Sequence, residues 1–160
     1  MSFHIRNADP VRDRGAMLAF IDGLQAFEHA FEPNRRLDAA VAEDYLAKLL
    51  RDLSAKPGAI FIAEDSGAAI GWAVVQETDD DIYVVEAERR MAYIAELFVA
   101  ERARGGGVGR AMIAACEDWA KARSIPVMLI GVLPGNARAR AIYEAAGYGN
   151  YAIQLRKKLP

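Results

Sequence analysis

Apolar residues recur along this chain at two spacings, and the changes of spacing mark out helices and strands. A short first strand is predicted at "FHIRNA" (3–8). Met17, Phe20, Ile21, Leu24 and Phe27 then follow three and four apart, the repeat of an amphipathic helix. Asp9 and Pro10 predict its start, a capping side chain before a residue that lacks the N–H a first turn leaves unpaired. Pro33 breaks it. Asp38 predicts the cap of a second helix, whose stripe is Val41, Tyr45, Leu46, Leu49, Leu50 and Leu53. "AIFIAE" (59–64) and "AAIGWAVVQ" (68–76) read as strands joined by a hairpin turn at "DSG". Residues 77–90 read as a loop with a short extra strand at "IYVV" (82–85). "MAYIAELFVA" (91–100) reads as a strand apolar on both faces and so buried on both. Val108 to Arg123 has helical spacing. "IPVMLIGVL" (125–133) is again a buried strand. Asn136 predicts the cap of a short helix over 137–146, ended by Gly147, and "NYAIQLRKKL" (150–159) reads as a closing strand. The order β-α-α-β-β-β-α-β-α-β describes a mixed sheet, antiparallel early, with one parallel crossover late.

The junction between the 91–100 strand and the helix after it is "RARGGGVGRA" (102–111), with glycine at 105, 106, 107 and 109. A tight turn needs one glycine. Four in five residues point to backbone approached closely by a ligand, and a helix start offers that ligand free N–H donors and partial positive charge. An anionic, phosphate-type group fits. The dinucleotide fingerprint fails, because the third glycine would fall at Met112 or Arg110. The P-loop fails too, because no Gly-Lys-Ser/Thr follows.

Length and charge narrow the field. The 160 residues, 53% hydrophobic and 26% charged, suit one domain spanning 1–160. A net charge of -2 gives no electrostatic footprint for nucleic acid. No apolar run suits a membrane span, so a cytoplasmic protein is expected. Cys116 is the only cysteine. No metal site is expected, since His4 and His29 have no ligand partners at suitable spacing.

"RGGGVG" (104–109) has the form R-x-x-G-x-G, and here the chain resembles the GNAT superfamily of N-acetyltransferases. "NARARAIYEAAGY" (136–148) is similar to that family's late N-x-x-A-x-x-x-Y segment, in family order and separation. The resemblance implies an α/β GNAT fold, a mixed central sheet of about six or seven strands flanked by about four helices. It implies acetyl-CoA as co-substrate, a small-molecule or peptide amine as acceptor, and direct transfer between them. Arg104, Gly105, Gly106, Gly107, Val108, Gly109 and Arg110 would form the pyrophosphate loop. Leu97, Phe98 and Val99 would pair with the pantetheine arm. Asn136 would touch that arm or cap its helix. The family usually has a basic residue where this chain has Gly106, and Arg102, Arg104 or Arg110 would replace that charge. A homodimer is common in the family.

Transfer to an amine needs a base, a polarised thioester carbonyl and a donor to the departing sulfur. Tyr143 matches the family's usual donor position; its other reading is a packing aromatic. Glu96 is the only charge inside 91–100. A carboxylate there is either hydrogen-bonded to backbone at a bulge or faces a cleft as a base. Some members of the family place the base where this chain has Tyr93, and the ribosomal-protein branch has a glutamate where this chain has Gly131. Glu28, Glu32, Asp79, Asp80, Asp81 and Glu86 either steer a cationic acceptor or form a solvated surface. Trp72, Trp119 and Cys116 read as core. The rival reading is a non-catalytic acyl-CoA-binding sensor, which would use the loop and have no need of Tyr143 or Glu96.

Overall fold

The computed structural model describes residues 2–159 and contains one five-stranded sheet, in the order β1-β2-β3-β4-β5. The strands are β1 (Phe3–Asn7), β2 (Gly58–Asp65), β3 (Ala68–Asp79), β4 (Arg90–Val99) and β5 (Val127–Ile130). β1 to β4 run antiparallel to their neighbours, while β5 is parallel to β4. The helices are α1 (Arg14–His29), α2 (Val41–Ala55), a four-residue α3 (Glu86–Arg89), α4 (Val108–Lys121) and α5 (Ala137–Ala145). No helix among the described residues is long and apolar enough to cross a membrane.

β3 is the spine of the core because both its faces are covered. Trp72 is fully buried, its ring 6.4 Å from that of Phe20 on α1. Its neighbour Gly71 points the other way, where a Cβ would lie 3.5 Å from Met112 Sδ of α4. Helices α1 and α4 therefore sandwich the sheet. Burying a side chain the size of Met17, Ile21 or Met112 contributes about 1.5–3 kcal/mol each.

Several expectations fail. Residues 150–159 form no strand, and "IYVV" lies in a turn that leads into α3, so the sheet has five strands where six or seven were expected. The closing segment has the two-residue alternation of a strand, with Tyr151, Ile153 and Leu155 exposed. Its side chains tie it elsewhere: Tyr151 Oη donates to Asp80 Oδ2 at 2.6 Å and Arg156 Nη2 to Glu32 Oε1 at 2.6 Å. β5 was expected to be buried on both faces. With no strand on its outer side, all four of its residues are half-buried. α1 also begins at Arg14, later than Asp9 and Pro10 suggest, after a turn in which Asp9 accepts from the N–H groups of Val11 and Arg12.

Candidate functional site

The parallel pairing of β4 and β5 ends at Ile94 opposite Ile130, yet β4 runs on to Val99. The strands part there, and a cleft of about 1120 Å³ opens between them. Ligands of α/β sheets enter at this kind of divergence. The N–H of Ala100 donates to the Ile70 carbonyl on β3. Backbone groups alternate sides along a strand, so those of Val99 and Leu97 face the open edge. Those of Phe98 face β3, which leaves Phe98 only its ring to offer the cleft.

The glycine loop forms the end wall. Gly105 and Gly107 both have φ +83°, a backbone that side-chain-bearing residues adopt at a cost. Gly107 caps α4, and no side chain occupies the cap. The first intrahelical bond here runs from Ala111 N–H to the Gly107 carbonyl at 3.0 Å. The N–H groups of Val108, Gly109 and Arg110 lie ahead of it, the orphan donors of a helix start. All three residues line the cleft, as do Arg104, Gly105 and Gly107; Gly106 does not. Of the three arginines expected to carry the loop's charge, Arg102 turns away to the Ala69 carbonyl. Arg104 folds inward, its Nε 3.0 Å from the Val99 carbonyl and its guanidinium 5.1 Å from the Phe27 ring centre and 5.6 Å from that of Phe98. Phe98 reaches this position because α1 carries Gly23, where a Cβ would stand 2.7 Å from the ring.

Glu96 sits beside a bulge. Val74 pairs with Glu96 and Val75 with Ile94, which leaves Ala95 as the extra residue of β4. A regular strand would send Tyr93 and Glu96 to opposite faces; the extra residue brings both to the cleft. Glu96 is 8% exposed. Its Oε1 accepts a short hydrogen bond from the hydroxyl of Tyr45 on α2, and its Oε2 has no partner among the described residues. Burial raises its pKa to about 7; the Tyr45 bond works against that rise and the charge of Glu28 adds to it. A carboxyl that titrates there accepts a proton readily at neutral pH. In the sequence Tyr45 stands only as part of an apolar stripe. The one local signal was a hydroxyl among leucines.

Tyr143 lines the opposite wall. Gly147, at φ +95°, lets α5 close with two reversed bonds, Gly147 N–H to the Glu144 carbonyl and Tyr148 N–H to the Tyr143 carbonyl. The rings of Tyr143 and Tyr148 lie 6.4 Å apart across that motif. Burial pushes the Tyr143 hydroxyl up to about 12, so it keeps its proton at neutral pH. Asn136 lines the cleft, but its Oδ1 is engaged in capping α5, accepting from Ala139 N–H at 3.1 Å. Gly131 also lines it, and a Cβ there would stand 3.1 Å from Tyr93 Oη. A side chain at 131 and the present Tyr93 would compete for one space.

Of the acidic residues expected around an acceptor, Glu28 lines the cleft and is held by Arg35 Nε at 2.7 Å. Glu32, Asp79, Asp80, Asp81 and Glu86 lie outside it. His29 Nδ1 is 3.0 Å from the Arg35 carbonyl oxygen. Cys116 and Trp72 are fully buried, and burial raises the Cys116 thiol to about 12. Trp119, 8% exposed, stacks under Arg123.

Residues 22–148 match the family model described as acetyltransferase (GNAT) family. The chain is 26% identical over 155 residues to a mycothiol acetyltransferase of Streptomyces griseus, covering 94% of this chain and 44% of that protein. It is 27% identical over 108 residues to an aminoglycoside N(6')-acetyltransferase type 1 of Stenotrophomonas maltophilia, covering 67% of this chain and 70% of that one. The chain thus spans less than half the length of the mycothiol acetyltransferase it matches. Its backbone superposes with a TM-score of 0.72 on a "predicted acetyltransferase with acetyl-CoA" from Clostridium acetobutylicum, at 22% identity and over 98% of this chain and 96% of that one.

Proposed function

Because the chain belongs to the acetyltransferase (GNAT) family, we propose that it is an N-acetyltransferase that uses acetyl-CoA and passes the acetyl group directly to a primary amine. One observation carries this reading: three orphan N–H donors at the start of α4 open onto the same cleft as a buried carboxyl raised to about 7. A binding module needs the first of these and has no use for the second. The similarity to a mycothiol acetyltransferase and to an aminoglycoside N(6')-acetyltransferase supports an amine acceptor in general and singles out none.

The residues present suit the co-substrate. The N–H groups of Val108, Gly109 and Arg110 would hold a pyrophosphate, helped by the positive end of α4. The open edge at Leu97 and Val99 would take the amide bonds of an extended arm. The Val99 carbonyl is engaged by Arg104, so Arg104 must release it or share it. Acetyl-CoA supplies the activated acetyl thioester. Glu96 accepts a proton from the incoming ammonium at Oε2, which frees the nitrogen lone pair. Tyr143 donates a hydrogen bond to the sulfur as charge grows there. A phenol that keeps its proton up to about 12 is a better hydrogen-bond donor here than a complete proton donor.

The test is thiol release from acetyl-CoA over a panel of spermidine, kanamycin, free amino acids and short peptides, with binding followed by calorimetry. Saturable release on one acceptor class supports the reading. Binding without release on any acceptor, or no binding, overturns it. Tyr143→Phe is expected to lower turnover about 10²–10³-fold, the usual effect of losing one donor to developing charge, with acetyl-CoA affinity unchanged. Unchanged turnover would remove Tyr143 from the chemistry.

A further inference from the structure

Each transfer from a protonated amine leaves two protons to place. One goes to the departing sulfur and the other must reach solvent. Glu96, 8% exposed, collects the second on the floor of the cleft, and a cleft filled by two substrates closes its way back to water. A second opening lies behind it. A groove of about 340 Å³ runs between α1 and α2 and shares Gln25, Arg35 and Tyr45 with the main cleft. Tyr45 is therefore a common wall: its hydroxyl bonds to Glu96 Oε1, and the residue, half-buried, also lines the groove.

We propose that Tyr45 is the proton exit of this site, carrying to the outer groove the proton that Glu96 takes from the acceptor. The inference rests on the reading of Glu96 as the base. In the step, an N–H bond of the ammonium breaks and an O–H bond forms on Glu96 Oε2. The carboxyl then turns about its last C–C bond and presents this proton to the phenol oxygen. The phenol's own proton leaves to water in the groove. Glu96 ends as a carboxylate and Tyr45 as a neutral phenol, so both are reset and nothing is oxidised or reduced. Tyr45 acts through Glu96 and is a positioning and relay residue rather than a catalytic one.

The groups around this pair do not block the path. Glu28 of α1 faces Glu96 and is neutralised in part by Arg35. Tyr93 of β4 faces both Glu96 and Tyr45, and Tyr143 of α5 faces Tyr93. Asp52 of α2 faces Tyr45 and is paired with Lys48. On the groove side, Asp44 meets Arg36 at 3.3 Å. Arg35, Arg36 and Lys48 also line the groove, and their pairing with Glu28, Asp44 and Asp52 leaves its wall close to neutral.

The experiment is Tyr45→Phe, with spermidine, kanamycin or a glycyl peptide as acceptor and acetyl-CoA as donor. Three results are expected: kcat falls about tenfold or more, the acid limb of its pH profile moves to higher pH because Glu96 loses a hydrogen bond that favours its charged form, and imidazole buffer restores part of the rate. A wild-type kcat and pH profile, or a loss that imidazole leaves untouched, overturns the proposal. Should Tyr45→Phe fail to fold, Asp44→Trp narrows the groove from its exposed rim without touching Glu96; wild-type kcat there overturns the proposal and a fall supports it. Glu96→Gln separates the two readings. If it keeps full turnover the base assignment fails. If it is inactive while Tyr45→Phe behaves as wild type, only the exit fails.

Discussion

Asp13 and Glu96 are the two charged side chains buried among the described residues, 5% and 8% exposed, and they are held in opposite ways. Asp13 lies where β1 leads into α1 and receives two bonds from one guanidinium, Arg6 Nη1 at 2.7 Å and Nη2 at 2.9 Å, while Arg6 Nε reaches Glu64 at 2.7 Å. The N–H of Asp9 adds a third contact to Asp13 at 2.7 Å and Arg12 Nε a fourth at 3.3 Å. These bonds, the Arg6 pair above all, hold its carboxyl well below the usual range. Glu96 has one neutral partner and no cation, and its carboxyl is raised to about 7. Two carboxyls with similarly little exposed surface thus become a structural anion in one place and a titrating acid in the other. At Asp13 the Arg6 bonds outweigh the effect of burial, while at Glu96 burial is the largest influence and a single neutral partner offsets only part of it. Every polar atom of Asp13 is spent within the fold. Glu96 keeps one oxygen free, and that oxygen fronts the cleft.

The comparison breaks most sharply at Asp13. Asp13→Ala leaves a part-buried Arg6 short of its main partner and is expected to cost about 3–5 kcal/mol, the range for breaking a buried pair, read as a loss of urea midpoint. Its pH dependence follows from the sign of the shift. A depressed carboxyl contributes stability that is complete above about pH 4 and is lost as pH falls through its folded value. The wild type should therefore lose its advantage over Asp13→Ala in acid.

Glu96 runs the other way. A carboxyl raised from 4.5 to about 7 binds a proton more tightly in the folded state, so stability falls as pH rises from the first value to the second and is flat above. Glu96→Gln keeps an acceptor for Tyr45 and removes the charge. At pH 8 it is expected to be more stable than the wild type by up to about 3 kcal/mol, from roughly 1.4 kcal/mol per unit, while the two coincide at pH 4. Equal melting curves at both pH values would mean that Glu96 is not raised. The smallest effect sharpens the contrast further. Glu28 is the least of the three influences on Glu96 and pushes it up. Glu28→Gln should move the Glu96 titration slightly downward and leave Asp13 untouched. An upward move would reverse the sign assigned to that charge.

Much of this arrangement was legible in the residues themselves. The apolar repeats place β1 to β4, α1, α2 and α4 because their burial is a local pattern, and the glycines at 105–109 mark a backbone that favours glycine at the left-handed positions 105 and 107. The Asn136 cap was equally local, its Oδ1 serving an N–H three residues on. Glu96 stood out as the one charge in an apolar strand. Its raised titration was not legible, because it depends on Tyr45, 51 residues away, and on α1 covering it. The closing segment misled for a related reason. Alternation says which side chains share a face, but a strand must also lie along a sheet edge; β5 leaves its outer edge open, and Tyr151 and Arg156 tie this segment to Asp80 and Glu32 instead. The 82–85 stretch is the short-range version of the same failure: β-forming residues in a turn with no strand to pair against.

The most direct test is a titration of Glu96 itself, following the side-chain carboxyl carbon of glutamate-labelled protein by NMR and assigning it with Glu96→Gln. A midpoint near 7 is predicted for the free protein. A midpoint near 4.5, the ordinary value for a glutamate, would contradict the account: it would make Glu96 a solvated carboxylate like those on the surface and remove it as the proposed base.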